Sequence, residues 1–343
     1  MLFEKLHNRE IILAKRSTGM PQLDNFQIVE TQLCANENKN DVLIRNRWFR
    51  VSISTRLMMS EEAETVKGIP FPPLAIGDTL ADAAIGQVIN APTESHLKPG
   101  DYVLHSCGWR DFAMVEQGDC IFLGTEIHDP AAYLGHGWTA FAALTQGIQI
   151  HRGDVVFISS GAGAIGSMAA QIARKMGATF IIGSTGSQDK VAWMKQVLKY
   201  DEVIIRGNAP ISEQLHRCAP DGIDVFVDIV GGEQLEAAVS QAREGARLVL
   251  LGALSAELAD KESTKFSPVE IDSFSLIVKG ITMRGYSADR NPEVFSEWVT
   301  CLYDSTWDDM VFPSTLFKGL KSAPLALQAA CSGRACGVVI VEV

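Results

Sequence analysis

Residues 159–178 read SSGAGAIGSMAAQIARKMGA, a glycine-x-glycine-x-x-glycine turn running into a helical pattern. Gly161, Gly163 and Gly166 carry the turn. After it Ile165, Met168, Ala169, Ile172 and Met176 recur on one helical face, and Gly177 marks the stop. The stretch before it, DVVFISS (154–160), contains a continuous apolar run of strand length, as expected of a strand buried on both faces. A strand, a glycine turn and a helix in this order set a dinucleotide pyrophosphate on the free N–H groups and positive end of the helix. The pattern assigns Gly161 to the tight turn, Gly163 to close approach of the pyrophosphate and Gly166 to helix–strand packing, with Ala164 and Ile165 between them.

Working outward, strand text alternates with helix text. TFIIG, EVIIR, IDVFVDIV, ARLVLLG and GITMRGYS read as strands. SQDKVAWMKQVLK, PISEQLHRC and GEQLEAAVSQA read as the helices between the first four. This alternation predicts an α/β, doubly wound parallel sheet of the Rossmann type over residues 128–304. It is entered through PAAYLGHGWTAFAALTQG (130–147), which is apolar at helical spacing. Residues 1–127 differ. DVLIRNRWFRVSIS, AAIGQVINA and LKPGDYVLHSCGWRDFAMVE read as short strands and turns, with Pro99, Gly100 and Asp101 supplying one turn. Residues 305–343 end in GRACGVVIVEV, strand text again, and are expected to rejoin the first unit.

The 343 residues suit two domains with full cores. A net charge of −11 argues against nucleic-acid or anionic-membrane partners, which require a basic face. No apolar run approaches the ~20 residues of a membrane span. The opening MLFEKLHNRE lacks the apolar centre of a signal peptide, and the seven scattered cysteines include no C-x-x-C pair. Both point to a reduced, cytoplasmic setting.

An NAD-binding unit places an acid at the end of its second strand to hold the ribose hydroxyls. Here Gly183 and Ser184 stand in that region, Lys190 follows six residues later, and Arg206 ends the third strand. Small polar residues with cations in reach suit a 2′-phosphate, so the cofactor read from the residues is NADPH. The plainer alternative is a solvated lysine and a surface arginine. Catalytic zinc needs three protein ligands. His105 and Cys107 lie together without completing a set, and Cys331 and Cys336 lack partners, so no metal is expected. His136, between two glycines, and Tyr286, after the last strand, are the catalytic candidates; loop and packing roles are their alternatives.

The ordered set resembles a known family. LAKRSTGMPQLDNF, GDYVLHSCGWRDFAMV, LGHGWTAFAAL, the glycine stretch, GSQDKVAWM, DGIDVFVDIVGGEQLEAAV and ARLVLLGALS follow one another as in the medium-chain dehydrogenase/reductase superfamily. They are most similar to its zinc-independent leukotriene B4 dehydrogenase and prostaglandin reductase branch, which includes curcumin reductases and plant alkenal reductases. The resemblance implies a discontinuous GroES-like catalytic domain (1–127 with 305–343) beside the Rossmann domain. It implies reduction of enals or enones by NADPH, with hydride delivered to the β-carbon. It places Lys190 and Arg206 at the 2′-phosphate, Thr139 near the nicotinamide, and Gly252, Ala253 and Leu254 along its ribose. It also implies a homodimer paired through the Rossmann sheet edge.

Departures fall on the substrate side. ISTRLMMS replaces a D-P-Y-M-R segment, Ile229 replaces an asparagine, and Glu257 stands about where a tyrosine is expected. In GRACGV, Ala335 and Val338 replace a polar pair, and Arg334 is the residue there able to cover a phosphate. Two other readings remain open: an NADPH-dependent quinone oxidoreductase, and a non-catalytic NADPH-binding sensor or structural protein.

Overall fold

The computed structural model describes residues 5–34, 40–65, 72–258 and 267–343. The chain divides into two compact units. One comprises the residues up to Leu134 together with Ser314–Val343, and the other is Gly135–Pro313.

In the first unit, β1 (Lys5–Leu13) and β2 (Phe26–Cys34) pair antiparallel. β3 (Asp41–Arg50), β4 (Ala84–Asn90), β5 (Tyr102–His105), β6 (Phe112–Glu116) and β7 (Ile121–Gly124) follow. Val42 and Ile44 of β3 alternate into a core with Val88, Val103, Ala113 and Val115. The strand expected through residue 54 ends at Arg50. Two residues on, the N–H and hydroxyl of Ser52 both donate to Asp82, at 3.0 and 2.5 Å, and the chain turns into a short helix, Ser54–Met58.

In the second unit, β8 (Val155–Ile158), β9 (Phe180–Thr185), β10 (Glu202–Ile205), β11 (Ile223–Asp228), β12 (Ala242–Leu250) and β13 (Thr282–Gly285) form one parallel sheet in the order β10-β9-β8-β11-β12-β13. From β8 the chain steps outward to β10, then returns to β11 on the other side of β8. Strand order therefore reverses between β8 and β11, and in such sheets ligands bind beyond the carboxyl ends of the strands at that point. Side chains alternate across the sheet. Phe157 and Phe226 stack at 4.9 Å on one face beside Ile182 and Leu248, while Val156, Ile158, Ile181, Val225, Val227 and Val249 fill the other. Burying each such side chain stabilises by about 1.5–3 kcal/mol.

The helical pattern of residues 130–147 is realised in pieces: Ala131–Leu134, Gly137–Ala142 and a wider π-type turn over Ala143–Gly147. The first break falls at Gly135 and His136, and the boundary between units at Leu134/Gly135.

The chain then re-enters the first unit. β14 (Ser314–Lys318) pairs parallel with β15 (Val338–Glu342), and β15 runs antiparallel to β3 with Ile340 opposite Arg50. The sheet order is β14-β15-β3-β4-β5-β7, with β6 also on β3. The first unit is thus discontinuous in sequence. Its return also contains a helix, Ala323–Cys331, that the strand text conceals; Ala326, Leu327, Ala330 and Cys331 are its buried face. Among the described residues no helix is long and apolar enough to cross a membrane.

Candidate dinucleotide site

The glycine turn joins β8 to the helix Gly166–Lys175 at the carboxyl end of the central strand. Its left-handed residue is Ser160, with φ of 53°, rather than a glycine. The Ser160 N–H donates to Ser184 Oγ at 3.1 Å, and its carbonyl accepts from Gly163. Gly161 is required by packing: a Cβ there would lie 2.7 Å from the Met194 methyl and 2.9 Å from the Tyr200 oxygen. At Gly166 a Cβ would meet the Ser160 carbonyl oxygen at 2.3 Å, so turn and helix touch backbone to backbone.

Tyr200, fully buried just before β10, closes the turn. Its phenol oxygen lies 2.8 Å from the Gly166 carbonyl oxygen and 3.2 Å from that of Gly161, and its one proton serves either. Burial pushes its ionisation far up, so it remains a donor. Gly163, Ala164 and Ile165 form the half-exposed lip of the turn. Among the described residues the N–H groups of Ile165 and Gly166 have no partner, and they stand at the positive end of the helix. This is the donor set a pyrophosphate needs.

Ser184 is buried, and its hydroxyl is spent inside the protein. It accepts from Ser160 and donates to Gln234 at 2.5 Å, so its part in the site is to brace the turn. The cations lie farther along. Arg206 follows β10, where its N–H donates to the Thr185 carbonyl at 2.9 Å. Its side chain is exposed, and among the described residues the guanidinium has no hydrogen-bond or ion-pair partner. Lys190 is half-exposed and closes the 3-10 turn Gln188–Lys190 after β9. An unpaired guanidinium and a lysine around the end of the second strand fit a 2′-phosphate, so the donors present fit NADPH.

On the other side of the strand reversal, Asp228 ends β11 as a buried carboxylate. It accepts from Ser159 Oγ and from the N–H groups of Val230 and Gly231, at 2.9–3.0 Å. Burial raises its pKa, and those backbone donors partly offset the rise. Ile229 follows, itself buried. The next segment is stitched to this one: Leu251 N–H donates to the Asp228 carbonyl and Leu254 N–H to that of Ile229. Gly252, Ala253 and Leu254 are half-buried at the carboxyl end of β12, and Glu257 accepts from the Ala253 N–H at 3.2 Å.

Tyr286 follows β13, and its N–H donates to the Leu250 carbonyl. Its phenol donates to Asn291 Oδ1 at 3.2 Å, and Asn291 in turn donates to Glu293. The Arg284 guanidinium lies 5.8 Å over its ring. Partial burial raises the phenol pKa further, so it holds its proton near neutrality. His136 and Thr139 occupy the first turn of the helix Gly137–Ala142, with Nδ1 3.3 Å from Oγ1. Arg334 belongs to the first unit; it is exposed, with Nε donating to Ser332. Among the described residues no group of three or more His, Cys, Asp or Glu is placed to hold a metal.

Sequence reasoning missed Tyr200, the Ser159–Asp228 pair and Gln234. Asp228 carried a signal, an acid closing an apolar strand. Tyr200 and Gln234 act at 34 and 50 residues' separation, which spacing cannot show.

The strand order and the glycine turn define a dinucleotide-binding architecture. Residues 164–303 match the family model described as zinc-binding dehydrogenase, and residues 9–123 match the one described as N-terminal domain of oxidoreductase. The chain is 28% identical to the 2-alkenal reductase (NADP(+)-dependent) of Nicotiana tabacum, covering 99% of this chain and 98% of that one. It is 24% identical to the NADPH-dependent curcumin reductase of Escherichia coli, over 99% and 98%. The crystal structure of CurA from Vibrio vulnificus in complex with NADPH superposes with a TM-score of 0.85 at 26% identity, covering 97% of this chain and 98% of that one. The chain belongs to the medium-chain dehydrogenase/reductase superfamily, within its zinc-independent reductase branch.

Proposed function

We propose that this protein is an NADPH-dependent reductase of C=C bonds conjugated to a carbonyl group, acting on enals or enones without a metal. The observation that carries the reading is the end-to-end likeness to proteins named as 2-alkenal and curcumin reductases. The unpaired Arg206 guanidinium and the free N–H groups of Ile165 and Gly166 support the cofactor.

NADPH, when bound, supplies the hydride. The chain's part is to hold the cofactor and manage charge and protons. Ile165 and Gly166 donate to the pyrophosphate, and Lys190 with Arg206 holds the 2′-phosphate. The segment Gly252–Ala253–Leu254 flanks the ribose, and Thr139 stands by the nicotinamide. Hydride gain at the β-carbon leaves negative charge on the substrate oxygen and requires a proton at the α-carbon. Tyr286 is the proposed donor, because it follows β13 at the carboxyl end of the sheet and its phenol is protonated at neutral pH. His136 is the second candidate. Arg334 is the candidate in the first unit for contact with a phosphate.

NADPH oxidation followed by absorbance against enals, enones and quinones tests the reading. Turnover with enals or enones and not quinones supports it. Turnover with quinones alone assigns a quinone oxidoreductase. Tight NADPH binding without turnover across the panel leaves a non-catalytic binder. We further propose a homodimer paired through β13, the end strand of the sheet, read by sedimentation.

A further inference from the structure

We infer that Gly186 sets the choice of NADPH over NADH by giving the Arg206 guanidinium its seat; this rests on the proposal that Arg206 meets the 2′-phosphate. Gly186 is the first residue after β9, and it is exposed. In the parallel register Thr185 lies beside Ile205, so the residue after each strand stands next to the other: Gly186 beside Arg206. A Cβ built on Gly186 would lie 2.9 Å from Arg206 Nη2, 3.6 Å from Cζ and 3.7 Å from Nε. The guanidinium therefore lies over the backbone of residue 186, in space that any side chain there would take.

Two features make this a functional rather than a folding constraint. The conformation of Gly186 is not left-handed, so the backbone itself accepts alanine. The atom a methyl group would meet is the free end of a flexible, exposed side chain, and the three atoms nearest to it all belong to Arg206. Arg206 can swing into solvent at little cost to the fold. By contrast, the Cβ clashes at Gly161 and Gly166 involve the buried Tyr200 and backbone atoms. Among the described residues no carboxylate holds Arg206 where it lies, so the room left by Gly186 is what permits the pose. Gly186 is in this sense a positioning residue for a charge that separates two cofactors differing by one phosphate.

The test is a cycle of Gly186→Ala, Arg206→Ala and the double variant, with dissociation constants for NADPH and NADH from fluorescence titration and thermal midpoints for each protein. Arg206→Ala is expected to weaken NADPH about ten- to a hundredfold and NADH little, the loss of one charge-assisted contact. Gly186→Ala is expected to reproduce most of that loss with an unchanged thermal midpoint, and the double variant to add nothing. Wild-type discrimination in Gly186→Ala, with Arg206→Ala impaired, overturns the inference and leaves the 2′-phosphate assignment standing. Equal weakening of both cofactors with a lowered midpoint assigns Gly186 a structural role and overturns it too. Discrimination unchanged in Arg206→Ala, or no NADPH preference in the wild type, overturns the underlying reading instead.

Discussion

The hydroxyl of Ser159, at the end of β8, donates to the carboxylate of Asp228, at the end of β11, across 3.0 Å. These are the two strands between which the order of the sheet reverses. The same hydroxyl accepts from the N–H of Ile229, and the carboxylate accepts from two more N–H groups. Asp228→Ala strands a hydroxyl and backbone donors in a dry interior, each costing about 1–3 kcal/mol. We expect denaturant unfolding to show a loss of several kcal/mol and NADPH binding to weaken, because the chain from Ile229 to Gly231 loses its anchor. Ser159→Ala, which keeps the carboxylate and its backbone donors, should cost less. Wild-type stability in Asp228→Ala contradicts this account.

Tyr200→Phe removes the proton that the carbonyls of Gly161 and Gly166 share, while keeping the ring that fills the space beside Met194. Stability should fall by about 1–3 kcal/mol. The dissociation constants of NADPH and NADH should rise together, since the turn is proposed to serve the pyrophosphate common to both. A selective loss of NADPH would place the effect elsewhere.

Tyr286→Phe tests the proton donor. The phenol donates to Asn291, so the variant keeps the ring and loses the proton together with that one hydrogen bond. Removing a positioned general acid lowers turnover by about 10²–10⁴-fold. We expect kcat to fall in that range with the NADPH dissociation constant unchanged. Unaltered kcat transfers the role to His136.

His105 gives a pH dependence. It is buried, its Nδ1 accepts the Cys107 N–H at 3.1 Å, and desolvation, with the charge of Arg110, lowers its pKa from 6.5 to about 3. The imidazole is therefore neutral in the folded chain well below the pH at which an unfolded chain protonates it. Between pH 6.5 and about 3 the unfolded state holds the extra proton. The stability this group contributes is whole above 6.5 and declines as pH falls toward 3, by roughly 1.4 kcal/mol per pH unit. His105→Gln should flatten that limb of the stability curve. NMR titration of the His105 ring should show no ionisation above pH 4; a transition near 6 refutes the assignment.

How much was legible in the sequence can be seen at particular residues. The second unit could be read because its signal is local: four apolar residues, a glycine turn and a helical stripe fix β8 and Gly166–Lys175 within about twenty positions. The expected roles of Gly161 and Ser184 differ from what the fold shows, for one reason. Ser160 takes the left-handed turn because Ser184 Oγ and Gly163 hold its backbone, and Gly161 is needed because Tyr200 arrives from 39 residues away. Such partners are brought by the sheet order, which no spacing encodes. The helix Ala323–Cys331 was hidden for another reason: it is rich in alanine, begins beside a proline and is buried along much of its length, so it lacks a polar stripe.

Tyr200 has one more consequence. It ties the loop before β10 to both ends of the turn after β8, so the turn proposed to cradle the pyrophosphate is assembled by the packing of the sheet itself. The entropy of ordering the turn is then lost once, when the chain folds, and is not charged again to each cofactor that arrives. A turn ordered in advance spares each arriving cofactor that cost, oxidised and reduced forms alike.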